Sequence, residues 1–267
     1  MGRMRRSAVS VLVAEVLAPA TLELQVAVAG ARPAVEQLVV TLDGEALRPR
    51  VLATPAGGRM HALRCAPGRL EVTYHCTVDD ARLVPPEALD ASVYLRPSRY
   101  AESDRLTDLA ASEFSGITEP RDLVRSVAAW VGGRLTYLGG SSLGTDGAVD
   151  TLAAGRGVCR DYAHLTVALL RARDLPARVA AVYAPGLSPM DFHAVAEALI
   201  EGEWYVVDAT LLAPRQSMMR IATGRDAADI AFLSSYGGDV RLDRLEIMSV
   251  VEGPLPDDDI DELVRLA

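Results

Sequence analysis

Apolar and polar residues alternate through most of the first eighty positions, which is the period of a strand with one buried and one wetted face. The β-rich runs fall at 7–17, 20–29, 35–42, 47–53, 59–65 and 69–79, with Gly, Pro and Asp between them. Turn signals at that spacing predict an antiparallel sandwich or a small barrel. The segment Leu83-Val84-Pro85-Pro86-Glu87 breaks the pattern, and the character of the chain changes near residue 96. The pattern therefore predicts an α+β protein: a β-rich N-terminal domain over 1–95, sandwich-like, followed by a second domain over 96–267.

The period then lengthens to that of helices. One is expected at 103–114, capped by Ser103 or Asp104, and another from Pro120 through Val131, where proline suits the first turn. The polar stretch Gly139-Gly140-Ser141-Ser142-Leu143-Gly144-Thr145-Asp146 cannot pack a core and reads as a surface loop. A short helix at 148–154 ends at Gly155. A strongly apolar one begins at Cys159, carries Ala163, Val167 and Leu170 on one stripe, and stops before Pro176. Strands are expected at 177–184, 192–200 and 203–209, a last helix at 225–235, and a strand at 240–251 before the acidic Asp257-Asp258-Asp259. No internal repeat is present.

Composition narrows the function. The chain of 267 residues is 50% hydrophobic and carries a formal charge of −9, so nothing draws it as a whole to nucleic acid or to an anionic membrane. All 27 basic residues are arginine, and there is no lysine and no asparagine. A phosphate-loop lysine, a Schiff-base lysine and a Cys-His-Asn triad are thereby excluded. The three cysteines, Cys65, Cys76 and Cys159, are too few for a disulfide framework and point to a reducing, cytoplasmic setting. Arginines followed by Val9, Val11, Leu12 and Val13 resemble a signal peptide, but Glu15 interrupts them and the alternation through Val28 reads better as two strands. No run approaches the ~20 apolar residues of a membrane-spanning helix.

Cys159 follows two glycines at the first turn of its helix, where unpaired N–H groups and the positive end of the dipole favour a thiolate. The other reading of a free cysteine is a small buried hydrophobe. Downstream, 191–200 and 203–208 are joined by Glu201-Gly202 and read as a β-hairpin. With those two residues as the turn, Ile200 faces Glu203, Asp208 lies opposite Val195, and His193 shares a face with Asp208. Diagonal neighbours on one face are ~7–8 Å apart at the backbone, within reach of an imidazole and a carboxylate. A slip of one residue would put them on opposite faces. Cys159, His193 and Asp208 are thus the three parts of an activated thiol: a nucleophile, a base and a group that orients the base.

The stretch from Gly155 to Leu165 around Cys159, then Asp191-Phe192-His193-Ala194, then Trp204-Tyr205-Val206-Val207-Asp208-Ala209-Thr210 resembles the core of the bacterial transglutaminase-like superfamily. Gly224 through Phe232 looks like a further signature of that branch, and the β-rich first part resembles the region that accompanies it. The family's usual proline after the aspartate is Ala209 here. The resemblance implies a papain-like α+β catalytic domain, Cys159, His193 and Asp208 as a catalytic triad, and a thioester acyl-enzyme. It implies a peptide or protein acyl donor and no cofactor; it does not imply the acceptor, which is water in a hydrolase and an amine in an acyltransferase. Members that have lost activity leave a non-catalytic binding module as the alternative.

An oxyanion needs donors, and the backbone N–H of Cys159 with the Tyr137 hydroxyl are the candidates. His164, five residues past Cys159, is expected to pack rather than react. Arg160 and Asp161 read as exposed helix residues that pair locally, and Arg225, Asp226 and Asp229 as groups that buttress the site. His61, Cys65, His75 and Cys76 match no zinc spacing, and the acidic run near the end lacks the glycine of a calcium loop.

Overall fold

The computed structural model describes residues 4–79 and 83–266. Its first part holds β1 (Arg6–Val16), β2 (Ala20–Leu24), β3 (Val35–Leu42), β4 (Glu45–Ala46), β5 (Arg50–Thr54), β6 (Gly58–Cys65) and β7 (Gly68–Val78). Then follow α1 (Asp90–Val93), α2 (Thr107–Glu113), α3 (Pro120–Arg134), β8 (Thr136–Tyr137), α4 (Ala148–Ala154), β9 (Arg156–Gly157) and α5 (Cys159–Arg171). The chain closes with β10 (Ala177–Tyr183), β11 (Phe192–Ile200), β12 (Glu203–Val207), β13 (Met219–Gly224), α6 (Ala227–Ile230), β14 (Leu233–Tyr236) and β15 (Val240–Val251).

The alternating pattern of the N-terminal part forms a sandwich, as its period requires. A five-stranded sheet in the order β15-β1-β7-β3-β4 faces a four-stranded sheet in the order β14-β2-β6-β5. Leu12, Leu22, Leu24, Leu63, Leu70 and Val72 meet between them. Two of these strands come from the far end of the chain. Segments 233–236 and 240–251, which a boundary at residue 96 leaves with the second unit, hydrogen-bond to β2 and β1.

The expected helix at 225–235 is a correction. Only Ala227–Ile230 is helical, with Asp226 accepting from the Ala228 N–H at 3.0 Å as its cap. Ala231 then leaves the helix and Leu233–Tyr236 joins the edge of β2. A ladder with an existing strand outweighs local helix propensity, which is worth only tenths of a kcal/mol per residue, ~0.7 at most for ordinary residues. The helix at 103–114 is likewise divided: a 3-10 turn at Ser103–Arg105 precedes α2, whose N-cap is Leu106 rather than Ser103 or Asp104.

The second part is built around α5. A third sheet, antiparallel in the order β12-β11-β10-β13, lies on one side of it. Ala194, Ala196 and Ala198 of β11 and the helix residues Ala163, Val167 and Leu170 belong to one continuous core, with the small strand side chains allowing close approach. Helices α3 and α4 pack against its other sides. Gly132 of α3 sits so close to the chain after β12 that a Cβ there would stand 2.8 Å from the Ala209 carbonyl oxygen. The sandwich and this core are joined by Tyr183, whose hydroxyl donates to the Val26 carbonyl at 2.8 Å and meets the Ser10 hydroxyl at 3.0 Å.

The outer face of the third sheet holds a buried ion cluster. Glu197 of β11 is fully enclosed and accepts from Arg178 at 2.8 Å and, through both oxygens, from Arg220 at 2.7 Å. Arg178 in turn lies over the Trp204 ring at 4.0 Å, and the Trp204 indole donates to Asp90 at 3.1 Å. Burial alone would raise the Glu197 pKa, but the two guanidiniums hold it below the ordinary carboxylate value. Removing one member of such a cluster strands the others' charge in a low-dielectric interior. Glu197→Ala is expected to destabilise the fold by ~3–5 kcal/mol in urea titration, because two buried guanidiniums lose their acceptor.

Candidate active site

The start of α5 is fixed by the residues just before it. Gly155, at φ 64°, ends α4 in the left-handed conformation that favours glycine. β9 then pairs in parallel with β8, placing Tyr137 opposite Gly157 and so beside Cys159 two residues on. Asp161 accepts from the Val158 N–H at 2.8 Å, closing the first turn, and a Cβ at Gly157 would stand 2.6 Å from the Asp161 Cβ. Asp161 is therefore not an exposed helix residue: it is 0% exposed and holds the turn that carries Cys159. Its other oxygen accepts from Arg160 at 3.0 Å, and Arg160 also donates to the Ser142 hydroxyl and the Leu143 carbonyl at 3.0 and 2.8 Å. The glycine-rich loop is thereby tied to the nucleophile's helix.

The hairpin takes the register expected of it. Ile200 pairs with Glu203 and Ala196 with Val207, and Glu201 and Gly202 both have positive φ, the two-residue turn that matches strand twist. Asp208 lies one residue beyond β12. Its Oδ1 accepts from the Thr210 N–H at 2.9 Å and the Thr210 hydroxyl at 2.7 Å, which leaves Oδ2 for His193 Nε2 at 2.8 Å. Both residues are buried. Burial works to lower the His193 pKa; the Asp208 carboxylate, by charge and by hydrogen bond, and then Cys159 outweigh it and raise it to about 10. The ring's other nitrogen, Nδ1, is buried and has no hydrogen-bond partner.

Cys159 is half-buried and shares with His193 one cavity of about 400 Å³. Phe192 and Phe232, stacked with centroids 5.2 Å apart, form one wall, and Gln25, Leu233 and Ser234 form another. Tyr137 is 43% exposed, and burial of its hydroxyl, followed by the neighbouring Cys159 thiol, pushes its pKa up to about 12. Cys65 and Cys76 are buried in the sandwich, where desolvation raises their thiol pKa values. The structure thus brings Cys159, His193, Asp208 and Tyr137 together. The sequence reading missed Thr210 as the support of Asp208, for which the adjacent motif was the available signal. It also missed Gln25 and β14 in the cavity wall, which come from distant parts of the chain and carry no local signal.

Comparisons with known proteins agree with this architecture. Residues 107–209 match the family model of the transglutaminase-like superfamily core. A crystal structure from Cytophaga hutchinsonii, named "a putative cysteine protease", is 31% identical, covers 98% of this chain and 96% of its own, and superposes with a TM-score of 0.87. The chain belongs to the transglutaminase-like superfamily. An uncharacterised protein of Mycobacterium leprae is 28% identical over 157 residues, 54% of this chain and 55% of that one. One of Mycobacterium tuberculosis is 32% identical over 135 residues, 51% of this chain and 34% of its own. The chain spans about half or less of the length of these mycobacterial relatives.

His164 packs behind the cavity wall and is fully buried. Its ring stacks on Tyr100 with centroids 5.5 Å apart, and Nε2 accepts from the Ala227 N–H at 3.1 Å. An accepting Nε2 makes the ring neutral with its proton on Nδ1, and burial pushes its pKa down to about 4. Around it, Asp226 accepts from the Tyr100 N–H at 2.9 Å, and Arg225 pairs with Asp229 at 2.9 Å. The unfolded chain takes up this proton near its ordinary value of 6.5 and the folded chain only near 4, so stability is lost as pH falls across that interval. His164→Gln is expected to flatten the decline in urea midpoint between pH 7 and 4 by one proton's worth of slope.

Proposed function

We propose that the protein is a cysteine-dependent acyl-transfer enzyme acting on amide, peptide or thioester bonds. The observation that carries this reading is the buried His193–Asp208 pair at 2.8 Å, with Nδ1 unbonded and Cys159 in the same cavity. Cys159 gives its thiol proton to His193 Nδ1, and Sγ attacks the acyl carbon. The charge that develops on the carbonyl oxygen meets the Cys159 N–H, which at the first position of α5 has no intrahelical acceptor, and the Tyr137 hydroxyl. His193 passes the Nδ1 proton to the leaving amine or thiol, and a thioester remains on Cys159. Water or an amine then gives its proton to Nδ1 as it attacks the thioester, releasing acid or a new amide and restoring the thiol.

Asp208 keeps Nε2 protonated, so that Nδ1 is the nitrogen that exchanges protons with sulfur and substrate. Nδ1, buried and without another hydrogen-bond partner, is the nitrogen left for the thiol, and such contacts tighten when substrate binds. The name given to the Cytophaga relative supports the hydrolytic form, with water as acceptor.

Intact-mass spectrometry after incubation with peptides, glutamine donors and amines tests the reading. A thioester adduct is expected on the wild type and not on Cys159→Ala, and product masses identify the acceptor. Iodoacetamide is expected to label Cys159 ahead of the buried Cys65 and Cys76; equal labelling of all three contradicts an activated thiol. Asp208→Asn is expected to keep the hairpin and lower turnover by ~10³–10⁴-fold, as loss of the orienting carboxylate does in serine-protease triads.

A further inference from the structure

The free edge of β14 runs into the cavity that holds Cys159. Among the described residues β14 pairs only with β2, as Leu233 with Leu24 through Tyr236 with Thr21. The Gln25 N–H donates to the Phe232 carbonyl at 3.0 Å, which makes Phe232 and Gln25 a hydrogen-bonded pair. In an antiparallel ladder such pairs alternate with pairs whose N–H and C=O point away from the partner. Leu233 and Ser235 therefore direct both main-chain groups outward from β2. Leu233 packs against the sandwich interior and also lines the cavity, where its outward main-chain groups lie.

This edge differs from that of β15, the outer strand of the facing sheet. There the pairs Arg241–Asp243 and Arg244–Glu246 line the strand with charge, one of the devices that deter the pairing of a further strand. Leu233, Ser234, Ser235 and Tyr236 carry no charge and no proline. Beside them, the Phe192–Phe232 stack with the small Ala181 and Ala228 leaves an apolar recess next to His193. Gln25 is 4% exposed and spends its amide N–H on the Asp229 carbonyl at 2.9 Å, which fixes the wall where β14 begins.

Resting on the thiol reading above, we propose that the acyl donor is an extended peptide that adds as a strand to the outer edge of β14. Its main chain pairs with Leu233 and Ser235, and an apolar side chain next to the attacked carbonyl fills the recess at Phe192 and Phe232. Main-chain pairing supplies affinity in such complexes, and the recess supplies selectivity. The β-sandwich then has a direct part in substrate choice, because it contributes the strand on which the substrate lies.

Peptidyl chloromethyl ketones test this by alkylating Sγ with loss of chloride, read as the rate of mass gain at Cys159. A probe ending Ala-Ala-Phe is expected to react at least about tenfold faster than one ending Ala-Ala-Gly, since burying a phenyl ring is worth ~1.5–3 kcal/mol. N-methylating the amides of the faster probe is expected to slow it about fivefold or more, the weight of one or two main-chain hydrogen bonds. Ser235→Pro removes an outward N–H without touching the β2 ladder and is expected to slow that probe similarly while leaving the iodoacetamide rate unchanged. If iodoacetamide and both probes label Cys159 but neither N-methylation nor Ser235→Pro alters the rate, the docking proposal is overturned and the thiol reading stands. If no reagent labels Cys159, both are overturned.

Discussion

Helix α5 is buried on almost every side, and only its first turn reaches the cavity. From Asp161 to Arg171 each residue is enclosed by the third sheet, α3 and α4. A helix surrounded in this way has one place to meet a ligand, its N-terminus, where unpaired N–H groups and the positive end of the dipole lie. Cys159 occupies that place. The alanines of β11 and the Asp161 cap serve to seat this one helix, and the position of the sulfur follows from them.

Each buried charge around α5 has a partner, and the partners come from different elements. Asp208 is divided between Thr210 and His193, Asp161 between the Val158 N–H and Arg160, and Glu197 between two arginines. A carboxylate left single in such surroundings would neutralise or force water in. The same bonds that meet this requirement fix the imidazole, the helix start and the sheet that carries the histidine. Electrostatic satisfaction and site geometry are here one arrangement.

The sandwich is more than an appendage to this core. Its strands come from both ends of the chain, Tyr183 bolts it to the third sheet, and β14 and Gln25 form part of the cavity wall. The cavity is therefore lined by residues from three regions of the sequence, near 25, near 192 and near 232. No single domain contains the whole cleft.

The sequence by itself determined the strand periods of the sandwich, the helix beginning at Cys159, and the register of the hairpin. Each rests on a local rule: alternation with period two, a glycine-bounded helix start, and a two-residue turn that fixes which residues face each other. Because register follows from the turn, even the meeting of His193 with Asp208 was legible. The fate of 225–236 was not, since a short helix and a strand compete there by tenths of a kcal/mol per residue and the open edge of β2, about two hundred residues away, decides. The burial of Asp161 was hidden for the same reason: an acidic residue beside an arginine on a helix looks solvated until the loop and sheet that cover it are in place. The cavity wall was equally out of reach of local rules. Only the tertiary structure brings Gln25, Phe192 and Leu233 together, because their meeting depends on long-range pairing rather than on any pattern within one segment.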